Sequence, residues 1–442
     1  MSCKNRYFTG IALILVAVAM VFCMGGPLAA STEESLSTAG TEEFSFDPDE
    51  FSKSPWSFDG FIQLDPSFLR FDQDASLYRL NFSGNDGDLY RFQGGIEIQA
   101  GLTYQRGFFK AYSLGKVEER YDGEQWDGDG LLYEGNISLQ AGPNAYFTIG
   151  KNLLRWGKGY AWNPVNFVGR DRNPSDPDLS LEGYWMVFAD AVKSLKGPLR
   201  TISLSTAIVP VTADINSSFG KEDYINVAGK LYFLFYDTDI DFVAMSKGSR
   251  TPRFGFAMSR NITGSFEIHG ESTLITDSSR KVIDSEGDLI SEREDVWSYL
   301  AGIRYLTSAE TTFIIEYYRN GEGYTGEQAD DYFEFIGSAS DEVLSGTLPS
   351  IPGYNRPNFM RNYLYLKASQ KEPFGWLYVT PGLFTIYNID DGSFNIIPEV
   401  SLTRVENLEL RFRFNYLSGE RGTEYGEKPN DWKAEIRARY FF

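Results

Sequence analysis

Residues 408–416 alternate without a slip. Leu408, Leu410, Phe412, Phe414 and Tyr416 fall on one face, and Glu409, Arg411, Arg413 and Asn415 on the other. After a polar stretch, the final residues repeat the pattern, with Ile436, Ala438, Tyr440 and Phe442 sharing a face opposite Glu435, Arg437 and Arg439. A period of two, apolar against charged, marks a strand whose two faces meet different solvents. The same alternation recurs upstream. Tyr90, Phe92, Ile96, Ile98 and Leu102 oppose Arg91, Gln93, Glu97 and Gln99, while Tyr133, Ile137 and Leu139 oppose Glu134, Asn136 and Gln140. Further strands are predicted to start near Phe58, Phe108, Ala145, Tyr184, Leu199, Ile225, Thr238, Arg253, Ser265 and Val296. Others start near Thr311, Arg361, Gly375 and Phe394. Together they make about eighteen, with sixteen also compatible.

The connections supply an independent pattern. Short ones fall at 106–107, 142–144, 194–198, 237–238, 261–263, 308–310, 372–374 and 405–406. Those between them are longer or more polar: 71–88, 119–130, 152–183, 210–224, 247–252, 276–295, 320–360, 388–393 and 418–430. Short and long alternate along the whole chain. A half-buried sheet of a soluble protein gives alternating strands, but it has no reason to keep this phase. The expected fold is therefore all-β: a transmembrane antiparallel up-and-down β-barrel over residues 57–442, with both termini on the short-turn side. No helix of useful length is expected.

Composition agrees. Aromatic residues make up 16% of the chain, mostly Tyr and Phe, as two interfacial girdles require, and after the leader no segment is apolar enough for a membrane helix. Lys4 and Arg6 precede an apolar run over 11–23, and small residues follow at Gly25, Gly26, Ala29 and Ala30. This reads as a secretory signal peptide over 1–30, cleaved near Ala30. Both cysteines, Cys3 and Cys23, lie within it. The exported chain then has no disulfide, thiolate metal site or cysteine nucleophile. Residues 31–56 hold Glu33, Glu34, Glu42, Glu43, Asp47, Asp49 and Glu50 against Lys53, a disordered acidic lead-in on the periplasmic side or a small plug for the pore. With 61 acidic and 41 basic residues, the net charge of −20 excludes a nucleic-acid partner. A final strand ending on Tyr440 and Phe442 resembles the signal by which the outer-membrane assembly machinery of Gram-negative bacteria recognises its barrels.

A barrel this wide is not closed by strand side chains, so a water-filled lumen is expected. The third long connection, 152–183, is where general porins fold a loop inward. Its Arg155, Lys158, Arg170 and Arg172 would line one side of a constriction opposed by Asp171 and Glu182. The alternative is an ordered surface loop with Trp156 and Trp162 at the membrane rim. By parity the lumen is lined by Arg91, Glu97, Glu267, His269, Glu271, Arg304, Glu316, Arg411, Arg413, Arg437 and Arg439. His269 is the single histidine, and its place in the lumen leaves no lipid-facing catalytic triad. No enzyme, metal site or cofactor is expected.

Arg155-Trp156-Gly157 followed by Asn163-Pro164 resembles the Arg-Trp-Gly…Asn-Pro segment of a poorly characterised family of porin-like outer-membrane proteins of Gram-negative bacteria. Residues 316–324 and the C-terminal hairpin are similar to the same group. The resemblance implies an outer-membrane barrel and leaves the cargo open. The expectation is a channel for passive diffusion of small solutes, in contact with outer-membrane lipid and lipopolysaccharide. A channel for hydrophobic or polyanionic cargo and a structural or adhesive barrel with acidic loops are the alternatives.

Overall fold

The structure, a computed structural model, describes residues 54–82, 88–284, 286–340, 342–344 and 358–442. The expected leader and nearly all of the acidic lead-in lie outside these residues.

Two short strands open the barrel, β1 (Trp56–Leu64) and β2 (Ser67–Phe71). Both pair with β3 (Tyr90–Arg106) on one side and with the last strand, β19 (Asn430–Phe441), on the other. They are two halves of one barrel strand, interrupted at Asp65-Pro66 because proline has no N–H to give the ladder. Between them run β4 (Phe109–Tyr121), β5 (Trp126–Gln140), β6 (Ala145–Asn152), β7 (Tyr184–Ser194) and β8 (Leu199–Val211). Next come β9 (Tyr224–Phe235), β10 (Thr238–Met245), β11 (Arg253–Thr263), β12 (Phe266–Ile283) and β13 (Leu289–Leu306). The series ends with β14 (Thr311–Arg319), β15 (Asn362–Gln370), β16 (Val379–Asn388), β17 (Phe394–Val405) and β18 (Leu408–Ser418). Each pairs antiparallel with its sequence neighbour, giving a closed barrel of eighteen strands. Phe61 opposite Phe441 and Ile62 opposite Tyr440 close the ring, and no sheet edge is left open.

Parity sorts the side chains as the alternation requires. Phe412, Phe414, Tyr416, Ile436 and Tyr440 are exposed on the outer wall, whereas Arg411 and Arg437 are buried within. The apolar face thus points outward, the reverse of a soluble protein. One position breaks the expected phase. A bulge against β4 at Leu114/Gly115 inserts an extra residue in β5, so Tyr133 is buried inside the barrel, with Lys116 Nζ 5.5 Å from its ring.

Several expected long connections are corrected. Residues 119–130 are mostly strand, with a turn at 122–125, and of 276–295 the residues up to Ile283 and from Leu289 are strand. The strand expected from Gly375 starts at Val379, after a short helical turn Pro373–Gly375. The described residues also include the helices α1 (Ser76–Phe82) after β2 and α2 (Gly326–Ser338) after β14. The latter buries Ala329, Tyr332, Phe333 and Ile336, a 3.6-residue stripe, while Glu327, Asp330 and Glu334 stay in water. Thr325 and Gln328 form a capping box at its start. That Thr-x-x-Gln signal before an apolar stripe was present in the sequence, hidden by the surrounding acids.

Candidate functional site

Connection 153–183 leaves the wall between β6 and β7 and does not stay at the rim. Lys151, at its root, pairs with Glu182, and Arg170 pairs with the same carboxylate. From there the loop runs across the lumen to strands on the far side. Glu271 of β12 accepts the backbone N–H groups of Lys158, Gly159 (2.8 Å) and Val165 (3.2 Å), and the Asn163 side-chain amide (3.2 Å). Glu316 of β14 accepts those of Tyr160 (2.6 Å) and Ala161 (2.8 Å), and pairs with His269 Nε2 at 2.8 Å. The Tyr160 hydroxyl donates to Glu267, and Thr273 donates to the Pro164 carbonyl at 3.0 Å.

The reason lies in backbone accounting. A loop buried inside a barrel has lost water as a partner for its N–H groups, and each one left unpaired costs about 1–3 kcal/mol. A carboxylate accepts several such bonds at once, and bonds to a charged acceptor are the stronger kind. Gly157 has φ +112°, and a Cβ there would lie 2.7 Å from Glu271 Oε1, so the turn needs glycine.

The second half of the loop docks on the last strands. Asp176 receives Arg437 at 2.7 Å and Arg413 at 3.1 Å, with Arg411 3.9 Å away. Burial works to raise the Asp176 carboxyl, but Arg413, Arg437 and Arg411 outweigh it and hold it below the usual range. Asn395 of β17 donates to Ser175, and Ser180 donates to Gln99 of β3.

Every residue expected to line the lumen lies on the inward parity, but they divide into groups. Glu267, His269, Glu271 and Glu316 are covered by the loop, and Glu271 and His269 are only 3% and 4% exposed. Arg91 lies near the Phe71 and Phe82 rings and pairs with Glu124. Lys116 bridges Glu97 and Glu118. Arg304 stands 3.9 Å from Glu267 and keeps nearly half its side chain in water. Arg411 and Arg413 pair with Glu409 and Glu399, Arg437 with Glu435, and Arg439 donates to Gln63.

The four loop cations also divide. Lys158 pairs with the buried Asp241 at 3.1 Å, and Arg170 with Glu182. Arg155 is exposed and makes no ion pair among the described residues. Arg172 donates to the Gly159 and Tyr160 carbonyls. With Asp171 it lines two adjoining cavities of about 300 and 350 Å³, the first mainly polar and the second of mixed character with Ile386, Leu417 and Tyr425 in its wall. The first also takes in Asn320, from the 316–324 stretch, together with Arg250 and Arg253, which sequence reasoning did not single out as site residues because no motif marks them.

Trp156 and Trp162 are not rim anchors. Both are 4% exposed. Trp162 stacks on Tyr318 with centroids 5.0 Å apart and donates Nε1–H to Asn358 at 2.9 Å. Trp156 packs with Leu154, Val165 and Phe167 of the loop against inward-facing Val209, Val243 and Met245. The tryptophans are the apolar part of the loop's seat; Gly157 makes the turn after Trp156, the Asn163 amide donates back to the Gly159 carbonyl, and the Pro164 carbonyl accepts from Thr273.

No family model matches the chain, and no curated protein matches it. Solved structures do resemble it. Pseudomonas aeruginosa OccK5 (OpdH) superposes with a TM-score of 0.51 at 11% identity, over 87% of this chain and 98% of that one. OccK2 (OpdF) from the same organism gives 0.52 at 10%, over 88% and 97%, and its OprD 0.52 at 10%, over 88% and 95%. At such identity the likeness is one of fold. The chain is an eighteen-strand antiparallel barrel of the architecture seen in these outer-membrane proteins.

Proposed function

We propose that the protein is an outer-membrane channel through which small polar solutes diffuse down their gradient, and that loop 153–183 sets the constriction. The observation that carries the reading is the loop's course: it is fastened to β12, β14, β19 and β3 from a root at β6, so solute must pass beside it. An outward apolar belt on a closed barrel is the form in which strands cross a bilayer. The short turns and both termini would face the periplasm. Export would use the leader, and recognition by the assembly machinery would use Tyr440 and Phe442. Phe442 already closes the ring, exchanging backbone hydrogen bonds with Gly60 at 3.0 and 3.1 Å.

The cavity bounded by Asp171, Arg172, Arg250 and Arg253 is mainly polar and charged, which favours a hydrophilic solute over the hydrophobic-cargo alternative. One OccK2 structure is in complex with glucuronate. A solute of that size is a suitable probe here. The reading assigns no catalytic step to the barrel.

The test is conductance of the purified full-length barrel in a planar bilayer, with reversal potential in a salt gradient and liposome uptake of glucuronate. Steady steps and uptake are expected. An electrically silent, correctly folded barrel would overturn the reading and leave an adhesive or structural role.

A further inference from the structure

The outer wall carries a second site, independent of the lumen. A cavity of about 450 Å³, almost wholly apolar, is sunk into the exposed belt where the C-terminal hairpin meets the first strand. Two prolines create it. Pro66 interrupts the first strand, and Pro398 sits in β17 where the pairing with β18 lapses between Ile396/Tyr416 and Glu399/Arg413. Its sides are the exposed rings of Phe68, Phe92, Phe412 and Phe414, and between them lie the small Ala434 and the prolines. Gly94 flanks the break, with no room for a Cβ beyond 3.2 Å from Pro66 Cα. At this depth only hydrocarbon or another apolar surface faces the wall.

The upper rim is polar. Two residues beyond Phe68, on the same outward parity, Arg70 lies opposite Trp432, whose ring is 5.9 Å from Phe68 and 5.8 Å from Phe414. Stacked Phe68 and Tyr90 complete an aromatic cluster of the kind found at headgroup level. The Arg70 guanidinium pairs with Asp431 at 2.9 Å, and 44% of its side chain stays exposed at the rim. Arginine presents a fork of donors suited to phosphate.

We infer that this groove binds one phosphate-bearing lipid of the leaflet on the long-loop side, with an acyl chain between the phenylalanines and the phosphate at Arg70. A chain fits because the site is a narrow dent between standing rings, whereas a second barrel would present a broad convex wall. Charge fits because the rim offers a partly exposed guanidinium in a chain that is otherwise strongly acidic. The inference needs the barrel to sit in a membrane but not that it conducts.

The experiment is native mass spectrometry of the folded full-length barrel in neutral detergent, titrated with bisphosphorylated lipid A or with a phosphate-free diacyl glycolipid. Heat-shifted gel mobility checks folding. One retained lipid A is expected. Ala434→Trp, which fills the groove, should abolish retention of both lipids. Arg70→Gln should weaken lipid A roughly fivefold and leave the glycolipid unchanged, as expected for about one lost charge contact near a membrane surface. If Ala434→Trp fails to fold, Phe92→Ala removes one side of the groove and should weaken both lipids. Unchanged binding in the folded variants overturns the site. So does a wild-type dimer that Ala434→Trp disrupts, because the groove would then be a contact between copies. Loss of conductance with lipid binding intact would sink the channel reading and leave this one standing.

Discussion

Gly157 sits against Glu271 so closely that the two cannot be varied independently: a Cβ on the glycine would stand 2.7 Å from the carboxylate oxygen that receives the loop's N–H groups. Gly157→Ala would both strain a φ of +112° and push the loop off its acceptor. Glu271→Ala would strand the N–H groups of Lys158, Gly159 and Val165, at about 1–3 kcal/mol for each that finds no water. Both variants should fold, because the barrel ladder is untouched. Both should give larger and noisier single-channel steps. Wild-type conductance in both would mean that the loop's docking does not limit the path.

The outer belt should respond to charge according to its depth. Phe412→Arg should cost roughly 2–4 kcal/mol in a folding titration in lipid vesicles, whereas Phe412→Leu, which keeps the face apolar, should be close to silent. Equal effects would contradict the outward parity of β18.

Loop docking at Asp176 should depend on pH in a definite direction. Its carboxyl is held below the usual range by the surrounding arginines. The stabilisation is therefore complete above the unfolded value of about 3.9 and is lost as pH falls through the lower folded value. Conductance noise of the wild type should rise only in strongly acidic solution. Asp176→Asn should show that behaviour at neutral pH.

Ion selectivity should follow the loop cations that keep access to water. Arg155→Gln with Arg172→Gln should shift the reversal potential towards cations. Lys158 and Arg170 are engaged by Asp241 and Glu182. Their replacement by Gln should alter folding stability more than selectivity. A larger selectivity shift from the second pair would place the ion path on the other side of the loop.

What the sequence determined by itself is what a local period can encode. Alternation over five to ten residues specifies a strand and its two faces, and the order of short and long connections specifies an up-and-down ring. Phe412 outside and Arg411 inside were therefore legible, as was the approximate number of strands. Where the local pattern is altered by one residue, as at Tyr133, or a strand is cut by Pro66, only the pairing partner decides the outcome. The capping box at Thr325 and Gln328 was local and readable, but helix α2 becomes worthwhile through the apolar surface it meets. The course of loop 153–183 was beyond sequence reading, since Lys158 and Glu271 lie 113 residues apart and their bond exists only because the closed ring sets β12 across from the root at β6. Tertiary structure also turned Glu271, Glu316 and Asp176 from solvated lumen or loop charges into buried anchors, because a loop excluded from water must find its hydrogen-bond partners in the wall.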